Sequence, residues 1–184
     1  MSRWFESRLL WGGLLILAGV LFLLENLGIL QLSGSFWELF VGVGLGVGGL
    51  AFLLVYAGNR EHWWALIPGF TLLGVASLIV LSSLLPRVAE RVGGALVLGG
   101  IALAFLSVYF SDRRNWWAII PGGVMLTLTL VVTLGELTSG WGTGALFFIG
   151  LGLTFALVAL MPTPEGRMQW AWIPAGILLL MGGL

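Results

Sequence analysis

Few side chains in this sequence can carry chemistry, and their arrangement excludes most of it. His62 is the only histidine and lies between Glu61 and Trp63. The chain has no cysteine, so one imidazole cannot complete a zinc site, which takes about four ligands. Asn115 and Met168 occupy the corresponding positions of two later, similar segments. An exposed interfacial His62 is the expectation, with no metal. All eight basic residues are arginines, so the chain can form neither a lysine Schiff base nor a lysine-bearing phosphate loop. No Gly-x-Ser-x-Gly elbow or His-Glu-x-x-His pair occurs either. Ser77, Ser82, Ser83, Thr127 and Thr129 lie in or near apolar runs with no base beside them. They are expected to bond to helix carbonyls or neighbouring helices rather than to act as nucleophiles. Catalytic residues and cofactors are therefore not expected.

The remaining ionisable groups sit at the edges of apolar runs. Glu25, beside Asn26, lies near the end of the first run and Glu136 just after the fifth. Both are expected to be hydrated. No charge falls at the middle of a run, which argues against proton pumps and ion-coupled carriers. Formal net charge is zero, so nucleic acid is not an expected partner.

The elements that must position these groups follow from hydropathy. The chain is 59% hydrophobic and 9% charged, against about 25% charged in a soluble domain. Its mean hydropathy is +1.09. Sixteen charges cannot cover the surface of 184 residues in water, so the solvent is a bilayer. A helix crosses the hydrocarbon with about 20 apolar residues. Six runs reach that length: Leu9–Leu30, Phe36–Ala57, Trp63–Leu85, Val92–Phe110, Trp116–Leu134 and Trp141–Met161. A seventh, Trp170–Leu184, has 15 residues. The expected fold is all-α: a polytopic membrane bundle of about seven transmembrane helices forming one integral membrane domain over 1–184.

One phrase orders the runs. Trp63-Trp64-Ala65-Leu66-Ile67-Pro68 returns as Trp116-Trp117-Ala118-Ile119-Ile120-Pro121 and as Trp170-Ala171-Trp172-Ile173-Pro174. The prolines are 53 residues apart both times (121 − 68 and 174 − 121). Tyr56 and Tyr109, Phe52 and Phe105, and Gly46, Gly99 and Gly152 keep the same period. The implied units are 9–61, 62–114, 115–167 and an incomplete 168–184. Each full unit holds two spans, so successive units enter the membrane alike, as tandem parallel two-helix repeats rather than an inverted pair. The short last run raises the expectation of an eighth span.

Residue types assign roles within a unit. Trp63, Trp64, Trp116, Trp117, Trp170 and Trp172 are expected to anchor helix ends at the interface, where an indole keeps its N–H wet. Pro68, Pro121 and Pro174 fall at helix entries, where a missing N–H costs little. Gly42, Gly46, Gly99 and Gly152 are expected at helix contacts, because small residues four apart let backbones approach. Gly44 with Gly48 and Gly140 with Gly144 share that spacing. Arg60, Arg113 and Arg114 fall on the side that carries six of the eight arginines, against Arg87 and Arg91 opposite. The positive-inside rule puts that side, and the N-terminus, in the cytoplasm.

The first run reads Arg8-Leu9-Leu10-Trp11-Gly12-Gly13-Leu14-Leu15-Ile16-Leu17-Ala18-Gly19-Val20-Leu21-Phe22-Leu23-Leu24-Glu25-Asn26-Leu27-Gly28. It resembles the transmembrane region of LiaI- and LiaF-like bacterial membrane proteins, over about the first 57 residues. The resemblance implies a bacterial inner-membrane location and, for some members, a link to envelope-stress signalling. LiaF-like members continue into a soluble domain, whereas this chain continues into further apolar runs. The resemblance carries over no functional residue.

The resulting expectation is a non-enzymatic, multi-pass protein of structural or regulatory type, acting through helix packing. Its partners are the lipid bilayer and a second copy or another membrane protein. The competing class is a channel or transporter for a small neutral or apolar solute. A continuous polar cavity lined by Ser77, Thr127, Thr129 or Glu25 would favour it.

Overall fold

The structure is a computed structural model that describes residues 16, 19, 20, 23, 24, 27, 34–135, 140–163 and 166–184. The chain divides into two compact units, Met1–Trp37 and Glu38–Leu184. In the first unit, Ile16, Gly19, Val20, Leu23 and Leu24 are helical, and Leu27 donates its N–H to Leu23 O at 3.0 Å. The rest of the predicted run Leu9–Leu30, including Glu25, lies outside the described residues. So does Glu136.

Six helices are described from residue 34 on. They are α1 (Gly34–Gly58), α2 (Leu66–Leu84), α3 (Pro86–Ser111), α4 (Ile119–Leu134), α5 (Gly140–Leu160) and α6 (Trp172–Gly183). Among the described residues, five helical segments are long and apolar enough to cross a membrane: Phe36–Gly58, Trp63–Leu84, Pro86–Ser111, Trp116–Leu134 and Gly142–Leu160. The chain is thus an all-α, multi-pass membrane protein. α6 has 12 residues, about 18 Å at 1.5 Å per residue, which is short of a full crossing.

Two segments between the apolar runs have regular structure. The polar stretch Pro86–Arg91 forms the first turns of α3, leaving Leu85 alone between α2 and α3. Pro86 explains this, since its fixed φ suits the first helical position and its missing N–H would lack a partner there anyway. Arg87, Glu90 and Arg91 are all exposed, so this polar end of the helix keeps its charges in water. Between α5 and α6 lies an antiparallel ribbon of β1 (Pro162–Thr163) and β2 (Gly166–Arg167), with Pro162 opposite Arg167 and Thr163 opposite Gly166. Gly166 takes φ +101°, a left-handed conformation that glycine reaches without a Cβ penalty.

From Glu38 onward each helix packs antiparallel on the next, as the facing residues show. Gly42 meets Val80 and Gly49 meets Leu73 between α1 and α2. Gly74 meets Gly100 and Gly93 meets Leu78 between α2 and α3. Gly122 meets Leu106 between α3 and α4, and Gly123 meets Thr154 between α4 and α5. Gly152 meets Leu179 and Gly182 meets Ile149 between α5 and α6. Glycines recur at these contacts because lipid tails compete equally for apolar surface. Helix association then depends on close van der Waals fit.

The most buried cluster lies at one end of the bundle. Leu66, Val108, Tyr109, Ala118, Ile119, Val158, Ala159 and Ala171 form it, with Trp63, Trp116, Phe105 and Phe155 packed around it. Long apolar side chains elsewhere, such as Leu54, Leu103, Leu153 and Leu160, are exposed on the outer surfaces of the helices.

Candidate functional site

That end is built from three copies of one turn. Trp63–Ala65, Trp116–Ala118 and Gln169–Ala171 are each a single 3₁₀ turn running directly into an α-helix. The residues before them, His62, Asn115 and Met168, have φ/ψ of −82°/45°, −81°/42° and −80°/68°. In every copy the alanine donates its N–H to that residue's carbonyl at 3.0 Å. Pro68, Pro121 and Pro174 are each the third residue of the following helix. A proline there has no N–H to donate four residues back, to Trp64, Trp117 or Trp170. Its ring also crowds that carbonyl. The α-helix therefore cannot extend backwards through the tryptophans, and the chain tightens into a 3₁₀ turn.

The tryptophans divide into two positions. Trp63 and Trp116 are half-buried against the core, while Trp64, Trp117 and Trp170 are exposed. Trp63 stacks edge-on against Trp117 at 6.0 Å, joining the turns before α2 and α4. Phe52 meets Trp64 at 6.1 Å, and Phe105 meets Trp117 at 6.1 Å in the same T-shape. Trp170 uses Phe155 instead, at 6.3 Å. Trp172 stands where the other copies have Leu66 and Ile119, and it is 49% exposed against their 4% and 5%. The residue at the centre of each turn is the alanine: Ala65, Ala118 and Ala171 are all 0% exposed. Sequence reasoning named the aromatic residues and passed over these alanines, although they keep the same period.

The polar connectors also match. Asn59 Oδ1 accepts from Glu61 N at 3.0 Å, and Asp112 Oδ1 accepts from Arg114 N at 2.9 Å. Arg60 lies over the Tyr56 ring at 4.7 Å, and Arg113 over the Tyr109 ring at 4.4 Å. In the first copy Arg60 Nη1 also donates to Tyr56 Oη at 2.9 Å, and Tyr56 Oη donates to Ser111 Oγ at 2.7 Å. That chain of bonds ties the end of α1 to the end of α3 beside a groove of about 530 Å³. The i, i+4 spacing of Tyr and Arg is the sequence signal that would have found this pair.

Of the glycines expected at helix contacts, Gly42 would place a Cβ 3.0 Å from Val80 Cγ2. Gly46 would place one 3.7 Å from Ala76 Cβ, and Gly99 one 3.7 Å from Thr129 Cγ2. Gly152 would place one 2.7 Å from Leu179 Cγ. Gly44 and Gly144 have nothing within 4 Å, and Gly48 has only Leu72 at 3.9 Å. The closest backbone approaches involve glycines that spacing did not single out, such as Gly49, Gly74 and Gly100.

The hydroxyls are largely turned inward on their own helices. Ser77 donates to Leu73 O at 2.7 Å, Ser82 to Ile79 O at 2.8 Å and Thr129 to Met125 O at 2.8 Å. Ser83 instead donates to Glu38 Oε2 at 2.6 Å, linking α1 and α2 at the opposite end. Ser77 and Thr127 line separate cavities of about 290 and 280 Å³ whose other walls are mainly apolar. Among the described residues no three His, Asp or Glu side chains are placed to hold a metal ion. No protein-family model matches this chain, and no curated protein or solved structure matches it either.

Proposed function

We propose that this protein is a non-enzymatic membrane scaffold of structural or regulatory type, built from tandem parallel two-helix units of 53 residues. It acts through helix packing, with itself or with another membrane protein. The carrying observation is that one turn, with one buried alanine and one proline, recurs at three helix entries with closely matching backbone angles. Such a series presents the same helix ends side by side at one interface. The arginine distribution supports placing that interface in the cytoplasm. The resemblance of the first run to LiaI- and LiaF-like proteins supports a bacterial cytoplasmic membrane and a connection to envelope stress.

Transport of a small neutral solute is the other reading. The serine and threonine hydroxyls that would line a path are bonded within their own helices at Ser77, Ser82 and Thr129. The test is flux through proteoliposomes holding the full chain, across a panel of small neutral solutes. The scaffold reading expects rates equal to those of empty liposomes. A saturable flux reduced by Thr127→Val would replace it with the transport reading.

A further inference from the structure

We propose that the groove between the ends of α1, α2 and α3 binds one anionic glycerophospholipid, with its phosphate at Arg60 and one acyl chain along the apolar wall. This goes beyond the scaffold reading and does not depend on it. The groove combines the two surfaces such a ligand needs. Its mouth carries Arg60, Tyr56 and Ser111, and its wall carries Leu53, Phe70 and Phe110. About 530 Å³ falls within the usual range for small-molecule sites.

The hydrogen bonds fix which groups remain for a ligand. Tyr56 gives its proton to Ser111 and its oxygen accepts from Arg60. Only one of the guanidinium's five N–H groups is used in that bond, and Ser111 keeps its own hydroxyl proton. The mouth therefore offers a cation and donors, the chemistry that holds a phosphodiester anion. Contact with the Tyr56 ring and hydroxyl holds the exposed guanidinium at the mouth of the groove. Glu61, next to Arg60 in the chain, is not among the lining residues.

The second copy lacks this combination. Tyr109 is buried, and Arg113 lies over the rings of Tyr109 and Phe110. The residue that would correspond to Ser111, 53 positions on, is Pro164, which has no hydroxyl. Arg113 is thus an internal control: the same charge, at the same end, on the same kind of turn.

The test uses the full chain in a non-ionic detergent. It is titrated with dioleoylphosphatidylglycerol, with dioleoylphosphatidylcholine and with inorganic phosphate, and bound lipid is counted by native mass spectrometry. One phosphatidylglycerol should be retained in preference to phosphatidylcholine. Arg60→Gln should weaken it roughly tenfold, as expected for losing a charge-assisted hydrogen bond, while Arg113→Gln leaves it unchanged. Equal losses in the two variants would reduce the effect to general surface charge and overturn the proposal. So would equal binding of phosphatidylcholine, or displacement of the lipid by millimolar phosphate. Should Arg60→Gln fail to stay monodisperse, Ala57→Trp gives the same decision, because Ala57 is an exposed lining residue and an indole there fills the groove while Arg60 stays in place. Lipid retained by that variant would also overturn the proposal.

Discussion

Gly99 of α3 faces Thr129 of α4 with room for one methyl group. A Cβ on Gly99 would lie 3.7 Å from Thr129 Cγ2, and Gly46 on α1 keeps the same 3.7 Å from Ala76 Cβ on α2. The two pairs are related by 53 residues at both ends (99 − 46 and 129 − 76). At the next position in the series the pairing is not kept: Gly152 meets Leu179, and Gly182 meets Ile149 and Ala145. A Cβ on Gly182 would meet backbone, 2.9 Å from Ile149 N and 3.0 Å from Ala145 O. The room in front of each glycine thus differs from one helix pair to the next.

This predicts a graded response. Gly46→Ala and Gly99→Ala should leave thermal unfolding in detergent unchanged or raise it slightly, since alanine favours the helix by about 1 kcal/mol. Gly99→Leu should lower stability by about 1–3 kcal/mol through overpacking. Gly100→Ala should be as damaging despite its single methyl, because that Cβ would lie 3.0 Å from Phe70 O and 3.1 Å from the Gly74 Cα. A Gly100→Ala variant as stable as Gly99→Ala would show that α2 and α3 do not meet backbone to backbone.

Five of the seven expected spans and the three helix entries were legible because they rest on hydropathy and on Trp and Pro chemistry, which local sequence expresses. The glycine contacts were only partly legible. In water a helix declares its inner face by placing polar residues opposite, but helices apolar all round give no such phase. Gly42 and Gly44 have equivalent spacing, yet Gly42 meets Val80 and Ile79 while Gly44 meets nothing. The groove beside Arg60 was illegible for another reason. Tyr56 and Ser111 are 55 residues apart and on helices that are not consecutive, so no local pattern joins them.

The contact between α4 and α5 is reciprocal. A Cβ on Gly123 would overlap Thr154, and one on Gly150 would overlap Thr127. Each helix therefore presents a glycine and a threonine four apart to its antiparallel neighbour. Gly123→Ala should cost about 1–3 kcal/mol alone and much less when Thr154 is also alanine. A double-mutant cycle should return a coupling of about 0.5–3 kcal/mol. Additive effects would mean that these side chains do not share the space.

The buried alanines give a prediction about recurrence itself. Ala65, Ala118 and Ala171 are all fully enclosed at the centre of their turns. Leucine at Ala65 or Ala118 should destabilise by about 1–3 kcal/mol and disturb the indole environment beside it. Near-ultraviolet circular dichroism would report this through the Phe52–Trp64 and Phe105–Trp117 pairs, both at 6.1 Å. Ala171→Leu should do the same through Trp170 and Phe155. A large effect at one site and none at another would break the equivalence of the three entries.

Sidedness follows from the connectors. Asn59 lies in the exposed turn between α1 and α2, and Leu85 is the exposed link between α2 and α3. The native chain has no cysteine, so single cysteines report without background. In intact cells Asn59→Cys should resist a membrane-impermeant thiol reagent, and Leu85→Cys should react. Asp112→Cys should match Asn59→Cys, because those positions are 53 residues and two spans apart (112 − 59). Reaction at position 59 with protection at position 85 would invert the orientation and keep the fold. Opposite labelling at 59 and 112 would instead remove the parallel two-helix plan, since an even number of crossings must return the chain to the same side.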